Sequence, residues 1–265
     1  MWLLDLVRLG LPLVLLSYGS WSDLKTREVT NKVWVLGFPV GAALTVLSFA
    51  LGEASGLLAT ALASIGLTTA LALALFYLGL FGGADAKALI YISLSVPLHP
   101  YMPAGQSPLG FTLIFFPLSV FNNAVIFSLS IVPRILARNL PSVAAGKPVL
   151  KDVCVRSILG RAVLFATSYR TSLENLREKV YLYPAEVPVE SEGSVSRRPR
   201  YFTNAELDKA ELMPEIERRA ATGLYNEGVL ATPTIPMILF ITLGFLAAIF
   251  FDLALIVAMT LLRAL

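Results

Sequence analysis

In 265 residues the chain has a single cysteine, Cys154, and a single histidine, His99. One cysteine excludes an internal disulfide and every paired-cysteine zinc motif. A lone histidine beside Pro97 and Pro100 lacks the partners that a metal site or a catalytic triad requires, and the expectation for it is a solvated loop side chain. Charge is scarce too: Asp, Glu, Lys and Arg make up 15% of the residues against 56% hydrophobic, and mean hydropathy is +0.73. A soluble protein of this size cannot hide so much apolar surface. The net charge of +3 is small and sits at loop positions, so without a binding motif it does not point to nucleic acid. No internal repeat is visible.

What remains is unevenly distributed. Between Lys32 and Arg134 the only ionised side chains are Glu53, Asp85 and Lys87, whereas basic and acidic residues are interleaved from Arg134 to Glu227. A spanning helix needs about 20 mostly apolar residues, and six segments are expected to span: 2–22, 33–51, 57–81, a shorter one at 86–98, 110–133 and 235–262. The first resembles a signal peptide in its apolar run, but its start carries Asp5 and one Arg, and it is kept as a span. Lys25, Arg27, Lys32, Lys87 and most remaining cations fall on one side of this arrangement, while the loops 52–56 and 99–107 hold no Lys or Arg. The positive-inside rule then puts both termini and the bare loops outside a cell membrane.

The expected fold is an all-α polytopic membrane protein of six transmembrane helices with a cytosolic domain inserted before the last. Residues 1–136 would hold the first five spans, 137–232 the cytosolic domain and 233–265 the sixth span. In the cytosolic part, 148–183 has apolar positions at roughly helical spacing, and 184–199, rich in Pro, Ser, Gly and Glu, is expected to be a loop. Thr203 and Glu206 have capping-box spacing at the start of a further helix.

An acid in or at the rim of a span is a functional candidate, because even lenient insertion scales put its cost at about 2.5–3.5 kcal/mol at mid-helix. Asp5, Asp23, Asp85 and Asp252 meet this condition. Asp5 has Arg8 one turn on as its expected partner. Asp252, at 1.5 Å per residue, is about 26 Å from the cytoplasmic side and belongs near the outer interface. Asp23 and Asp85 both fall at cytoplasmic ends of apolar segments, where they can approach one another. Two close carboxylates do not both ionise easily and hold one proton between them. One can then take a proton from water while the other polarises a scissile carbonyl. The same placement also suits interfacial charges that cap helices. In Phe81-Gly82-Gly83-Ala84-Asp85 two glycines precede the acid, where the backbone is expected to turn and leave room beside it.

These residues carry a resemblance. Gly82-Gly83-Ala84-Asp85 resembles the Gly-x-Gly-Asp motif of the membrane-embedded aspartic peptidases, which include bacterial prepilin peptidases and archaeal preflagellin peptidases, with Ala84 in place of the second glycine. The run Asp23-Leu24-Lys25-Thr26-Arg27-Glu28-Val29-Thr30-Asn31-Lys32 is similar to the loop of the family's first catalytic Asp, and Pro233-Thr234-Ile235-Pro236 resembles the archaeal branch. The resemblance implies catalysis by Asp23 and Asp85, backbone support from Gly82, Gly83 and Ala84, and loop support from Lys25, Asn31, Lys32 and Lys87. It also implies cleavage of short basic class III leaders from archaeal preflagellins or pilin-like precursors at the cytoplasmic face. Neither a metal nor an organic cofactor is expected. Bacterial relatives carry a paired-cysteine zinc loop and methylate the new N-terminus; with Cys154 alone, the expectation is proteolysis without methyl transfer. Lys25, Arg27, Lys32 and Lys87 also read as topogenic charge. Glu186, Glu190 and Glu192 are candidates to attract a basic leader, or a solvated face. Two other readings are a small proton- or cation-coupled transporter using the same acids, and a non-catalytic scaffold for filament machinery.

Overall fold

A computed structural model describes residues 2–51, 55–100, 114–191, 194–201 and 209–264. The Thr203–Glu206 capping box, Glu192 and most of the two bare loops lie outside the described residues. The chain divides into two compact units: a helical one formed by Met1–Ser128 with Pro236–Leu265, and a mixed one formed by Leu129–Ile235.

The helical unit contains α1 (Trp2–Thr26), α2 (Asn31–Ala50), α3 (Leu58–Tyr77), α4 (Gly83–Ser95), α5 (Phe116–Ser128), α10 (Met237–Ala248) and α11 (Leu253–Ala264). Among the described residues, the stretches long and apolar enough to cross a membrane are Asn31–Ala50, Leu58–Tyr77 and Phe116–Ala144, with Met237–Ala248 and Leu253–Arg263 forming a fourth if a pair bent by 68° counts as one span. Six spans are not confirmed among the described residues, and single residues show where the expected and observed helices differ. Helix α1 has 25 residues, but Asp5, Arg8 and the polar 17–23 end dilute its apolarity. Helix α4 has 13 residues, about 20 Å at 1.5 Å each, against a hydrocarbon core of about 30 Å.

The two short helices α4 and α10 form the centre of this unit. Helix α10 packs chiefly on α5 and α1, and α4 on α3 and α2. A Cβ at Gly244 would stand 2.5 Å from the Val120 carbonyl oxygen, so glycine permits the close approach of α10 to α5. Helix α4 ends inside the unit, and its last carbonyls are satisfied by side chains from neighbours. Thr45 Oγ1 donates to the Leu94 carbonyl at 2.7 Å, Arg8 Nε to that of Ser95 at 3.4 Å, and Ser64 Oγ to that of Pro97 at 2.7 Å.

The last span was expected to run from 235 to 262; it is broken between Ala248 and Leu253, next to Asp252. Fully buried Asn123 takes up the freed backbone groups, donating to the Phe251 carbonyl at 2.9 Å and accepting from the Leu253 N–H at 2.7 Å. Asp252 Oδ1 accepts from the Leu255 N–H at 3.1 Å and so caps α11. Asp5 does meet Arg8, at 3.9 Å.

The mixed unit corrects the all-α expectation. It contains α6 (Ile131–Ala144), α7 (Ile158–Thr167), β1 (Tyr169–Thr171), α8 (Leu173–Glu178), β2 (Leu182–Pro184), β3 (Glu186–Ser191), β4 (Ser194–Pro199), α9 (Lys209–Ala221) and β5 (Val229–Pro233). Strands β1, β5 and β2 form an antiparallel sheet in that order, with β5 central. Side chains of β5 alternate between two clusters: Val229 and Ala231 pack with Leu176, Leu182 and Ile216, while Leu230 packs with Val149, Val153 and Leu164. The segment 184–199 is a hairpin, not a loop, with Val187 opposite Arg198 and Val189 opposite Ser196. Valines at every second position, 187 and 189, supply a strand period that the Pro and Ser content obscures.

Candidate active site

The end of α1 and the start of α4 carry the two acids. After Asp23 the chain leaves the helix through Arg27, which takes a left-handed φ of 61° and whose N–H still donates to the Asp23 carbonyl at 3.0 Å. A non-glycine residue holds that conformation only when its surroundings fix it. Here Ser22 Oγ and Thr26 Oγ1 both donate to the Glu28 carbonyl, at 2.6 and 3.1 Å, and fold the loop back on the helix.

Ahead of α4 the turn is made at Gly79, with φ of 71°. Gly82 has an extended backbone open to any residue, φ −72° and ψ 159°, so the bend expected of Gly82 and Gly83 is made three residues earlier. What Gly82 provides is space. Its N–H donates to Asp85 Oδ2 at 3.0 Å, and a Cβ there would lie 3.3 Å from the same oxygen. Gly83 has no comparable constraint, the nearest atom to its Cβ position being on Phe76 at 3.7 Å. Ala84 lies inside α4 without a positive φ, in a conformation that alanine favours over glycine.

Asp23 and Asp85 stand within electrostatic reach of one another, and the Arg27 guanidinium acts on both. Asp23 Oδ2 is buried and takes no hydrogen bond among the described residues. Two acids so placed can hold one proton between them, an arrangement in which one donates while the other accepts.

The surrounding cations divide. Lys87 Nζ donates to Asn31 Oδ1 at 2.7 Å, tying the start of α2 to the first turn of α4 next to Asp85. Lys25 instead lies over the Trp21 ring, 5.1 Å from its centroid, and Lys32 is exposed. Arg27 was grouped with these topogenic charges in the sequence; its distinguishing signal is the four-residue spacing from Asp23, one helical turn. His99 is half-buried rather than solvated: its Nε2 is 2.8 Å from the Ala248 carbonyl oxygen and its ring meets Phe116 edge-on. Among the described residues no group of three or more His, Cys, Asp and Glu side chains is placed to hold a metal ion.

In the mixed unit, Glu186 and Glu190, two of the three acids expected to attract a basic leader, are already engaged. Glu186 is fully buried, with Oε1 accepting from the Leu230 N–H at 2.8 Å and Oε2 lying 3.7 Å from Arg197. Glu190 pairs with Arg219 at 2.7 Å. Burial pushes the Glu186 carboxyl above the usual range, outweighing the Leu230 N–H and the Arg197 and Arg170 charges.

The family model described as Type IV leader peptidase family matches residues 11–132, which include Asp23 and Asp85, and that described as Archaeal Peptidase A24 C-terminus Type II matches residues 160–252. No curated protein matches the chain.

Proposed function

Since the chain belongs to the type IV leader peptidase family and is a multi-pass membrane protease, we propose that it is an aspartic endopeptidase whose reacting groups are Asp23 and Asp85. The observation that carries this reading is the pair itself: two acids from separate helices within electrostatic reach, sharing one arginine.

The chemistry follows from one proton held between them. The ionised acid takes a proton from water as its oxygen attacks the scissile carbonyl carbon. The protonated acid donates to the carbonyl oxygen, giving a tetrahedral diol. The diol collapses as the first acid passes its proton to the leaving amine and the second recovers one from the diol hydroxyl. Hydrogen bonding to the Gly82 N–H holds Asp85 in place for this exchange. Family membership makes prepilin-like precursors the substrate class; we assign the basic class III leaders of archaeal preflagellins, cut at the cytoplasmic rim where water is available. Methyl transfer is not assigned, and mass spectrometry of the product is expected to give an unmodified N-terminus.

Leader cleavage by the reconstituted protein is the test. Asp23→Asn and Asp85→Asn should each abolish it, while chelators and serine- or cysteine-directed reagents leave it intact; full activity in either variant would remove the assignment.

The break at Asp252 is the feature that favours a proton- or cation-coupled transporter, since interrupted helices line such pathways. Its backbone groups are already taken up by Asn123, so proteolysis is the better reading. Proton uptake by proteoliposomes that Asp252→Asn abolishes would reverse that order.

A further inference from the structure

The first part of the mixed unit differs from the rest in charge and in surface. From Ile131 to Ser172 the only acid is Asp152, against Arg134, Arg138, Lys147, Lys151, Arg156, Arg161 and Arg170. Three of these cations are occupied: Lys151 pairs with Glu227 at 2.7 Å, Arg138 lies over the Tyr169 ring, 4.0 Å from its centroid, and Arg170 donates to the carbonyls of Val149 and Gly228. Lys147, Arg156 and Arg161 are exposed and make no ion pair among the described residues.

Apolar side chains lie among them. Helix α7 buries Gly160 and Leu164 on one side and leaves Ile158 89% and Leu159 75% exposed on its first turn. Beside it, the end of α6, the turn after it and α7 enclose an open cavity of about 740 Å³ lined by Val143, Pro148, Leu150, Ile158, Phe165 and Arg161. Exposed aliphatic residues on a first helical turn, an apolar trough and cations with no acid beside them form the pattern of a helix that lies in a lipid interface.

The chain position supports the same occupant. The candidate span Phe116–Ala144 has 29 residues, of which about 20 suffice to cross the hydrocarbon core. Lys147 follows three residues after it, so this segment is built next to headgroups. A basic leader peptide is excluded as the occupant by like charge.

We propose that the α7 face is a membrane-surface site that takes anionic phospholipid, with Ile158 and Leu159 entering the acyl boundary and Lys147, Arg156 and Arg161 meeting the phosphates. Each cation near an anionic surface contributes a modest attraction that falls off within a Debye length. The site therefore depends on lipid charge and on ionic strength.

Depth-dependent quenching reads this directly. A bimane is placed on Leu159→Cys, or on Ile158→Cys as a second position, in full-length protein carrying Cys154→Ser. A label on exposed Ala221→Cys at the end of α9 serves as the reference. In nanodiscs of phosphatidylglycerol with phosphatidylcholine and doxyl-labelled acyl chains, the position 158 and 159 labels should be quenched several-fold more than the position 221 label. Phosphatidylcholine alone, high salt, or Lys147→Glu with Arg156→Glu and Arg161→Glu should remove most of that difference, and retained thermal melting identifies variants that still fold. Equal quenching at 159 and 221, quenching indifferent to lipid charge, or protection of 159 only on adding an acidic protein would overturn the proposal. Asp85→Asn should leave the quenching unchanged, so the outcome is independent of the proteolytic reading.

Discussion

Both units bury carboxylates, and they surround them in opposite ways. In the mixed unit Glu186 has a backbone N–H at 2.8 Å, Arg197 at 3.7 Å, and that arginine itself lies over the Tyr225 ring and donates to the Gly228 carbonyl. In the helical unit Asp85 accepts from the Gly82 N–H, Asp23 keeps a buried oxygen without a hydrogen bond among the described residues, and the two acids lie within electrostatic reach of each other and of Arg27. A carboxylate enclosed by a donor and its own cation holds strands together. Two carboxylates sharing one cation are, on the proposed reading, left with a proton to exchange.

The largest effect that would break this comparison is on cleavage. Replacing either Asp23 or Asp85 by Asn removes a proton-transfer group whose contribution alone is on the order of 10²–10⁴-fold, so cleavage should fall by at least about 10²-fold. Thermal stability should hold, because a pair that shares one proton already carries a single charge and Asn keeps an acceptor oxygen in place of the carboxyl. A variant that loses stability and cleavage in parallel would place the acids with Glu186, as structural groups.

Glu186 should show the reverse. Glu186→Ala leaves the Leu230 N–H buried without its acceptor and Arg197 buried without its carboxylate, and breaking a buried pair in this way costs about 3–5 kcal/mol. Cleavage per folded molecule should be unchanged. Glu186→Gln keeps the acceptor and should cost far less. The folded-state carboxyl is raised by burial, so the fold retains this proton to higher pH than the unfolded chain does. Stability from this group is therefore greatest below the ordinary glutamate range and declines as pH rises through the interval up to the folded value. Chemical denaturation across that interval should show a slope in the parent protein that Glu186→Gln lacks.

How far the two regions were legible in the sequence follows the same division. The acids beside apolar runs stood out because so few charges interrupt 33–133, and the spacing of Asp23 and Asp85 relative to those runs placed them at one depth. Helices α2, α3 and α5 were readable from unbroken apolar stretches. The shortness of α4 was legible as well, since the segment read at 86–98 has the same length of 13 residues; the break before α11 was not, because it depends on Asn123, far away in sequence, which supplies the missing hydrogen bonds. The hairpin β3–β4 was hidden by its turn-forming composition, and the partner of Glu186 by the ten residues of separation that only strand pairing brings together.

A smaller effect separates the glycines of the Asp85 motif from one another. At Gly82 a Cβ would lie 3.3 Å from Asp85 Oδ2, so Gly82→Ala must move the carboxylate by a few tenths of an ångström. Since a displacement of about 1 Å costs on the order of 10²-fold in a positioned reaction, cleavage should fall about tenfold.

The smallest effect is expected at Ala84. This residue occupies the helix interior with an ordinary backbone, so the freedom of glycine is not used there. Ala84→Gly, which restores the family's glycine, should leave cleavage within about twofold and cost roughly 0.5–1 kcal/mol of stability through the greater backbone entropy of glycine. Leader cleavage and thermal melting measured on the same preparation check both halves. A gain of tenfold in cleavage would mean that α4 unwinds past position 84 during the reaction, and that Asp85 is delivered to Asp23 by a change of backbone instead of being held there by the Gly82 N–H.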